Sequence, residues 1–326
     1  MIRRRHHIQI KNIHQHHNLN TVVDSFRPHY ENKPMIKQII EKFFGKNSSN
    51  EKISGDDNLK IIDAHLHFVE HEPYFSRIAI AAGHENTESH LRMTYKQLGI
   101  VHGVVMGNRT LSIRDHNYPD FLSYCIGIDH SVFTRQQWQD QLPLIEKHFQ
   151  RKSCVGVKLY PGYLPFFVYD DSFAPLYRLA EKYQKPVAVH TGLTAGNDYT
   201  VPKYCQPEVM GIAAEKFPRN QFVMCHYGEP MFKEASAVMK KFPNVSADLS
   251  GMLEGMMNKD SFSFFYIRTL KNSIQAVNDY SRFMFGTDFP LANYKNYIEF
   301  TKEFIPAEHW EKVFYSNAVR IYRLDV

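Results

Sequence analysis

Two histidines separated by one residue, His65 and His67, close an apolar run of the chain. Three more polar residues, His190, His226 and Asp288, stand at the ends of other apolar runs. Imidazole nitrogens and carboxylate oxygens are the ligands that hold Zn²⁺, with Mn²⁺, Fe²⁺ and Co²⁺ as less selective alternatives. A divalent cation with one open position polarises a carbonyl and lowers the pKa of water from about 15.7 to about 7, which gives a nucleophile at neutral pH. If the run around His65 is a strand, alternation sends residues i and i+2 to one face, so His65 and His67 point the same way. The spacing alone is weak, because the chain has 18 histidines and His14-Gln15-His16 repeats the pattern. Position gives it weight. Four histidines and an aspartate at four strand ends are costly to bury unless they are paired or bind a metal.

Eight short apolar or β-branched runs are candidates for the strands that position these groups: Lys60 to His65, Val101 to Gly107, Phe121 to Asp129, Cys154 to Tyr160, Pro186 to His190, Gln221 to His226, Asn244 to Leu249 and Arg282 to Gly286. Segments of helical length and periodicity lie between them: Glu88 to Leu98, Arg135 to Phe149, Asp171 to Tyr183, Gln206 to Phe217 and Phe262 to Tyr280. Eight alternating units predict an α/β fold, a (β/α)₈ TIM barrel of roughly 250 residues, preceded by an N-terminal extension. A doubly wound open sheet is the competitor, but no glycine-rich dinucleotide loop follows the first run. In a barrel the carboxyl ends of the strands converge on one mouth. Besides the five residues above, that mouth receives Lys158 and Tyr160 from the fourth run. Arg109, just after the second, could clamp a substrate carboxylate with two parallel hydrogen bonds.

Residues 1–57 are read as a separate basic, His-rich extension and residues 58–326 as the catalytic barrel. The extension holds one amphipathic helix, Pro34 to Phe44, stopped by Gly45. Lys and Arg exceed Asp and Glu by 6 over residues 1–55, whereas the rest of the chain carries a net −1 within the total of +5. That balance argues against nucleic-acid binding by the barrel. The four cysteines form no CxxC pair and read as reduced core thiols. No apolar stretch nears the roughly 20 residues that span a bilayer, and no secretory signal opens the chain, so a cytoplasmic location without membrane attachment is expected.

The segments Ile62-Asp63-Ala64-His65-Leu66-His67, Gly156-Val157-Lys158-Leu159-Tyr160-Pro161, Val189-His190-Thr191-Gly192, Cys225-His226-Tyr227-Gly228 and Phe285-Gly286-Thr287-Asp288-Phe289-Pro290 resemble the amidohydrolase superfamily. More narrowly they are similar to its amidohydrolase-2 branch of hydrolases, lactonases and decarboxylases, as is the closing Tyr315-Ser316-Asn317-Ala318 segment. The resemblance spans residues 60–323. It implies that His65, His67 and Asp288 bind a divalent metal, with His190 as a further ligand in single-metal members. His226 then acts as an acid, a base or a carbonyl-polarising group. In two-metal members a carboxylated lysine on the fourth strand bridges the ions, and Lys158 stands in that place. One Zn²⁺ is expected, with Mn²⁺ or a two-metal site as alternatives.

On this reading Asp288 orients the attacking water and takes its proton, while His226 polarises the substrate carbonyl. Arg109 and Tyr160 contact a small, carboxylated substrate, chosen by the loops Phe68 to Glu88 and Thr191 to Lys203. The leading expectation is a hydrolase acting on a cyclic ester or amide. A non-oxidative decarboxylase using the same site is the alternative, and an inactive barrel serving as a scaffold is a third reading. The extension is the candidate bridge in a homodimer.

Overall fold

In the computed structural model, which describes residues 59–128, 138–194 and 200–326, each of the eight apolar runs contains a strand. The strands are β1 (Ile61–Leu66), β2 (Ile100–Met106), β3 (Leu122–Ile128), β4 (Cys154–Leu159), β5 (Val187–His190), β6 (Phe222–Cys225), β7 (Val245–Asp248) and β8 (Phe283–Met284). They pair in parallel, in sequence order from β1 to β8. Backbone bonds then join the last strand to the first: Ala64 N–H donates to Phe285 O at 2.9 Å and Asp288 N–H to His65 O at 2.8 Å. The result is a TIM barrel, as the alternation of runs predicts. The extension and its expected helix at Pro34 to Phe44 lie outside the described residues.

The helices are α1 (Pro73–Ala81), α2 (Glu88–Leu98), α3 (Leu142–Phe149), α4 (Ala174–Lys182), α5 (Pro207–Lys216), α6 (Phe232–Lys241), α7 (Phe264–Val277), α8 (Tyr294–Phe304) and α9 (Asn317–Tyr322). Their ends follow local chemistry. The Thr87 hydroxyl accepts from His90 N–H to start α2, and Gly99, at φ 71°, ends it in the left-handed region that glycine adopts without strain. Ser263 and Asn293 cap α7 and α8 in the same way as Thr87. Between β2 and β3 the described residues form a loop with one 3₁₀ turn, Ile113–His116, in place of an α-helix.

Apolar side chains fill two layers. Outward-facing residues such as Val157, Leu159, Phe222 and Met224 pack under the helices, while Ile62, Val104, Val155, Val223 and Met284 fill the barrel interior. Helix α9 adds Ala318, Ile321 and Tyr322 to that inner layer, closing the end opposite the mouth. The four cysteines are free and buried, as expected of core thiols. No helix among the described residues is long and apolar enough to cross a membrane.

Several buried histidines tie loops to the barrel as neutral groups. His116 donates to Thr110 O and His148 to Leu111 O, each at 2.8 Å, and His84 Nε2 accepts from Tyr294 N–H. Burial pushes His84, His102 and His116 each down to about 4 from the ordinary 6.5. A folded-state value below the unfolded one means that the unfolded chain binds protons first as pH falls. Stability from these groups is therefore complete above pH 6.5 and is lost progressively towards pH 4, by up to about 1.4 kcal/mol per pH unit for each histidine. Urea unfolding should show a lower midpoint at pH 5 than at pH 7, and His102→Gln, which can keep the bond to Ser123, should flatten that dependence. Equal midpoints at the two pH values would contradict it.

Candidate metal centre

Strict alternation from the inward-facing Ile62 and Ala64 would point His65 outward, under the helices. The register between β1 and β2 slips between Asp63 and Leu66, so Ala64 and His65 both face inward. Leu66 then returns to the outer layer and His67 to the mouth. Such irregularities re-aim side chains next to active sites. From β8, Asp288 meets the pair: its Oδ1 lies 3.4 Å from His65 Nε2 and 3.1 Å from His67 Nε2. The ligand atoms of these three residues lie within 4.8 Å of one another.

The outer nitrogen of each histidine is committed to a hydrogen bond that fixes what the inner one presents. His65 Nδ1–H donates to Asp248 Oδ2 at 2.9 Å. His67 Nδ1–H is shared between Met106 O at 3.0 Å and Asn108 Oδ1 at 2.5 Å. His190 Nε2–H donates to Leu193 O at 3.0 Å. The single Ser250 hydroxyl proton goes to Asp248 Oδ1 at 2.5 Å, so His226 Nδ1–H donates to Ser250 Oγ at 2.9 Å. All four inner nitrogens are therefore lone pairs, and Asp288 Oδ1 is a fifth.

His190 Nδ1 and His226 Nε2 bring two of these lone pairs to 3.1 Å. That contact is unfavourable unless a proton or a cation lies between them. Burial, first among the causes, holds both imidazoles below their ordinary range, His226 at about 3, which disfavours the proton. His65 Nε2 and Asp288 Oδ1 are also buried and make no hydrogen bond. The donor set thus fits a divalent cation, whose borderline character suits imidazole and carboxylate.

A second grouping, His65, His226 and Asp248, is internally satisfied. Asp248 accepts from His65, from His226 N–H at 2.9 Å and from Ser250, which leaves it a support for the first group. Burial would raise Asp248, but His65, then His226 and Lys158, hold it down as a carboxylate. Asp248 closes β7, and its place near the end of the seventh run was the signal that could have revealed it. Asn108 and Ser250 left no such signal. Backbone strain gathers here as well: His226 at φ 61° and Asp288 at φ 60° occupy the left-handed region, as residues at functional sites do.

The remaining expected residues are not among the ligand atoms of this group. Lys158 is fully buried, and its Nζ donates to Cys225 Sγ at 2.8 Å. The Tyr160 hydroxyl donates to Gly107 O at 2.8 Å, linking β4 to the end of β2. Arg109 Nη1 donates to Asp115 O at 3.2 Å on the loop that also carries Asn108.

The family model described as amidohydrolase matches residues 62–324, and the chain belongs to that family of metal-dependent hydrolases and decarboxylases. No curated protein sequence matches the chain. Among solved structures, an uncharacterised TIM-barrel protein from Bordetella bronchiseptica is 25% identical with a TM-score of 0.60, over 81% of this chain and 99% of that one. An amidohydrolase from Burkholderia multivorans with bound zinc is 15% identical with a TM-score of 0.58, over 81% and 99% of the two chains. The 5-carboxyvanillate decarboxylase from Sphingomonas paucimobilis is 14% identical with a TM-score of 0.56, over 82% and 99%.

Groups that orient a metal-binding histidine typically contribute 10–100-fold in affinity. Asp248→Asn should therefore weaken zinc binding, measured against a chromophoric chelator, by roughly that factor while the circular dichroism spectrum is retained. Unchanged affinity would mean that Asp248 does not orient His65.

Proposed function

We propose that this protein is a hydrolase holding one divalent cation, zinc by preference, and acting on a cyclic ester or amide carbonyl of a small carboxylated substrate. The observation that carries this reading is the cluster of His65, His67 and Asp288, whose ligand atoms lie within 4.8 Å of one another, beside the contact of His190 Nδ1 with His226 Nε2 at 3.1 Å. A scaffold has no use for that arrangement. His65, His67 and Asp288 would hold the cation, with His190 as the further ligand; when bound, it supplies Lewis-acid polarisation of the carbonyl and an acidified water. The zinc in the Burkholderia amidohydrolase supports that choice of metal. The bond between Lys158 Nζ and Cys225 Sγ supports one ion, because it engages the nitrogen that a bridging carbamate would use.

Asp288 is the group that turns the water and accepts its proton. The hydrogen-bond relay changes the expected part of His226. With Nδ1–H donating to Ser250, its Nε2 begins as an acceptor and becomes a donor only after taking a proton. His226 therefore takes from Asp288 the proton that the water has lost and delivers it to the leaving oxygen or nitrogen, so one proton is carried through the step. Lys158 acts by charge from below, helping to keep His65, His190 and His226 neutral. Arg109 is the cation for a substrate carboxylate, and Tyr160 sets the wall beside it by bridging to Gly107.

Metal analysis of the purified full chain should find close to one zinc per chain. A panel of lactones, cyclic amides and carboxylated aromatics should then yield ring-opening on a carboxylated substrate. Asp288→Asn should lower kcat by roughly 10²–10⁴-fold without loss of fold. Two ions per chain would overturn the single-metal assignment, full activity of Asp288→Asn would overturn its role, and CO₂ release from a carboxylated phenol would replace hydrolysis by decarboxylation.

A further inference from the structure

On the outer wall of the barrel, between α6 and α7, lies a cleft of about 490 Å³ that the proposed chemistry does not use. Its charged lining consists of Lys233 and Lys240 on α6 and Arg268 on α7, and no acidic residue lines it. None of the three forms an ion pair among the described residues. Nearby cations do: Lys241 pairs with Glu215 at 3.4 Å and Lys259 with Glu303 at 3.0 Å. Beside these unpaired charges Phe265 lines the cleft at 77% exposure, and its neighbour Phe264 is 79% exposed, the two most exposed large apolar side chains described. Phenylalanine left in water on a helix that already caps itself through Ser263 contributes nothing to folding, and clustered exposed apolar groups mark interaction sites.

The shape of the cleft indicates what fills it. Lys233 and Lys240 stand seven residues apart, two turns and roughly 10 Å along one face of α6. On α7, Phe265, Arg268, Thr269, Asn272 and Ala276 follow helical spacing along the facing side. Short side chains at Ala237 and Ala276 leave the space between the two rows open. We infer that this cleft is a docking site for an acidic amphipathic helix of a partner protein, with apolar anchors laid beside Phe265 and carboxylates meeting Lys233, Lys240 and Arg268. The charge of the chain's own N-terminal extension, an excess of 6 basic residues over residues 1–55, does not complement these cations. A flat anionic bilayer meets the same charges and is the alternative that vesicles test.

The probe is a fluorescein-labelled synthetic helix of glutamates with leucine at every third and fourth position, titrated with the full chain and followed by fluorescence anisotropy. Its counterpart with lysine for glutamate and vesicles of phosphatidylserine in phosphatidylcholine run in parallel. The acidic helix should bind, and binding should weaken as sodium chloride rises from about 50 to about 300 mM. Combined Lys233→Glu, Lys240→Glu and Arg268→Glu, and separately Phe265→Ser, should each weaken it by roughly tenfold or more. All four positions lie on the outer wall, so circular dichroism and metal content should stay unchanged. No binding of the acidic helix, equal binding of the lysine helix, or indifference to the substitutions would overturn the proposal. Preferential binding to the anionic vesicles would assign the face to lipid instead.

Discussion

The hydrogen bond from His65 Nδ1 to Asp248 is the contact on which the rest of the centre depends. It selects one tautomer of a fully buried imidazole, so Nε2 meets Asp288 Oδ1 as acceptor against acceptor. Neither atom is satisfied by the protein. Leaving a buried acceptor unpaired costs about 1–3 kcal/mol, so the two together cost about 2–6 kcal/mol against a typical net stability of about 5–15 kcal/mol. Packing alone gives no reason for such an arrangement, whereas a cation offsets it directly. Asp248 has a second hold on the site, because it takes the Ser250 proton and so obliges His226 to donate outward. One carboxylate therefore sets the inner face of two histidines from different strands.

Those imidazoles reach one point because the barrel departs from regular geometry where it closes. β8 has only two residues of regular strand, and its continuation pairs with β1 through His65 O and Phe289 O. The irregularity in β1 turns His65 inward beside Ala64, and a side chain at Gly286 would press on His65 Cβ at 3.0 Å. Gly251 plays the same part for His226. A Cβ there would lie 2.5 Å from Nδ1, and its φ of 73° already belongs to glycine. The regular part of the fold supplies rigidity, and these local departures supply aim.

The regular part was legible in the sequence. Eight apolar runs became eight strands in order, and Glu88 to Leu98 is a helix over that span. The grouping of His65, His67 and Asp288 was legible by position, because strand ends in a barrel share one mouth. What periodicity could not show was parity at β1. Alternation correctly put His65 and His67 on one face, yet it did not reveal that Ala64 faces the same way, since a bulge depends on pairing with a neighbouring strand. The relay through Ser250 was equally hidden, as it is set by contacts 24 residues apart in the chain. Whether Lys233, Lys240 and Arg268 had partners was a tertiary question too, and composition counts charges without pairing them.

The formal charge around the centre bears on how many ions it takes. Asp288 and Asp248 contribute two negative charges, Asp63, pushed up to about 7 by burial, is partly ionised at neutral pH, and Lys158, on β4, contributes one positive charge, which leaves a net between −1 and −2. One divalent cation brings this to between 0 and +1, and a second would raise it to between +2 and +3 in a site walled by apolar strands, where repulsion between like charges is weakly screened. Sites that accept two ions need further anionic ligands, and here Lys158 would have to give up its bond to Cys225 and become a carbamate to provide one. The balance of these carboxylates against one lysine therefore supports the single ion proposed above, with the neutral histidines supplying directed lone pairs in place of charge.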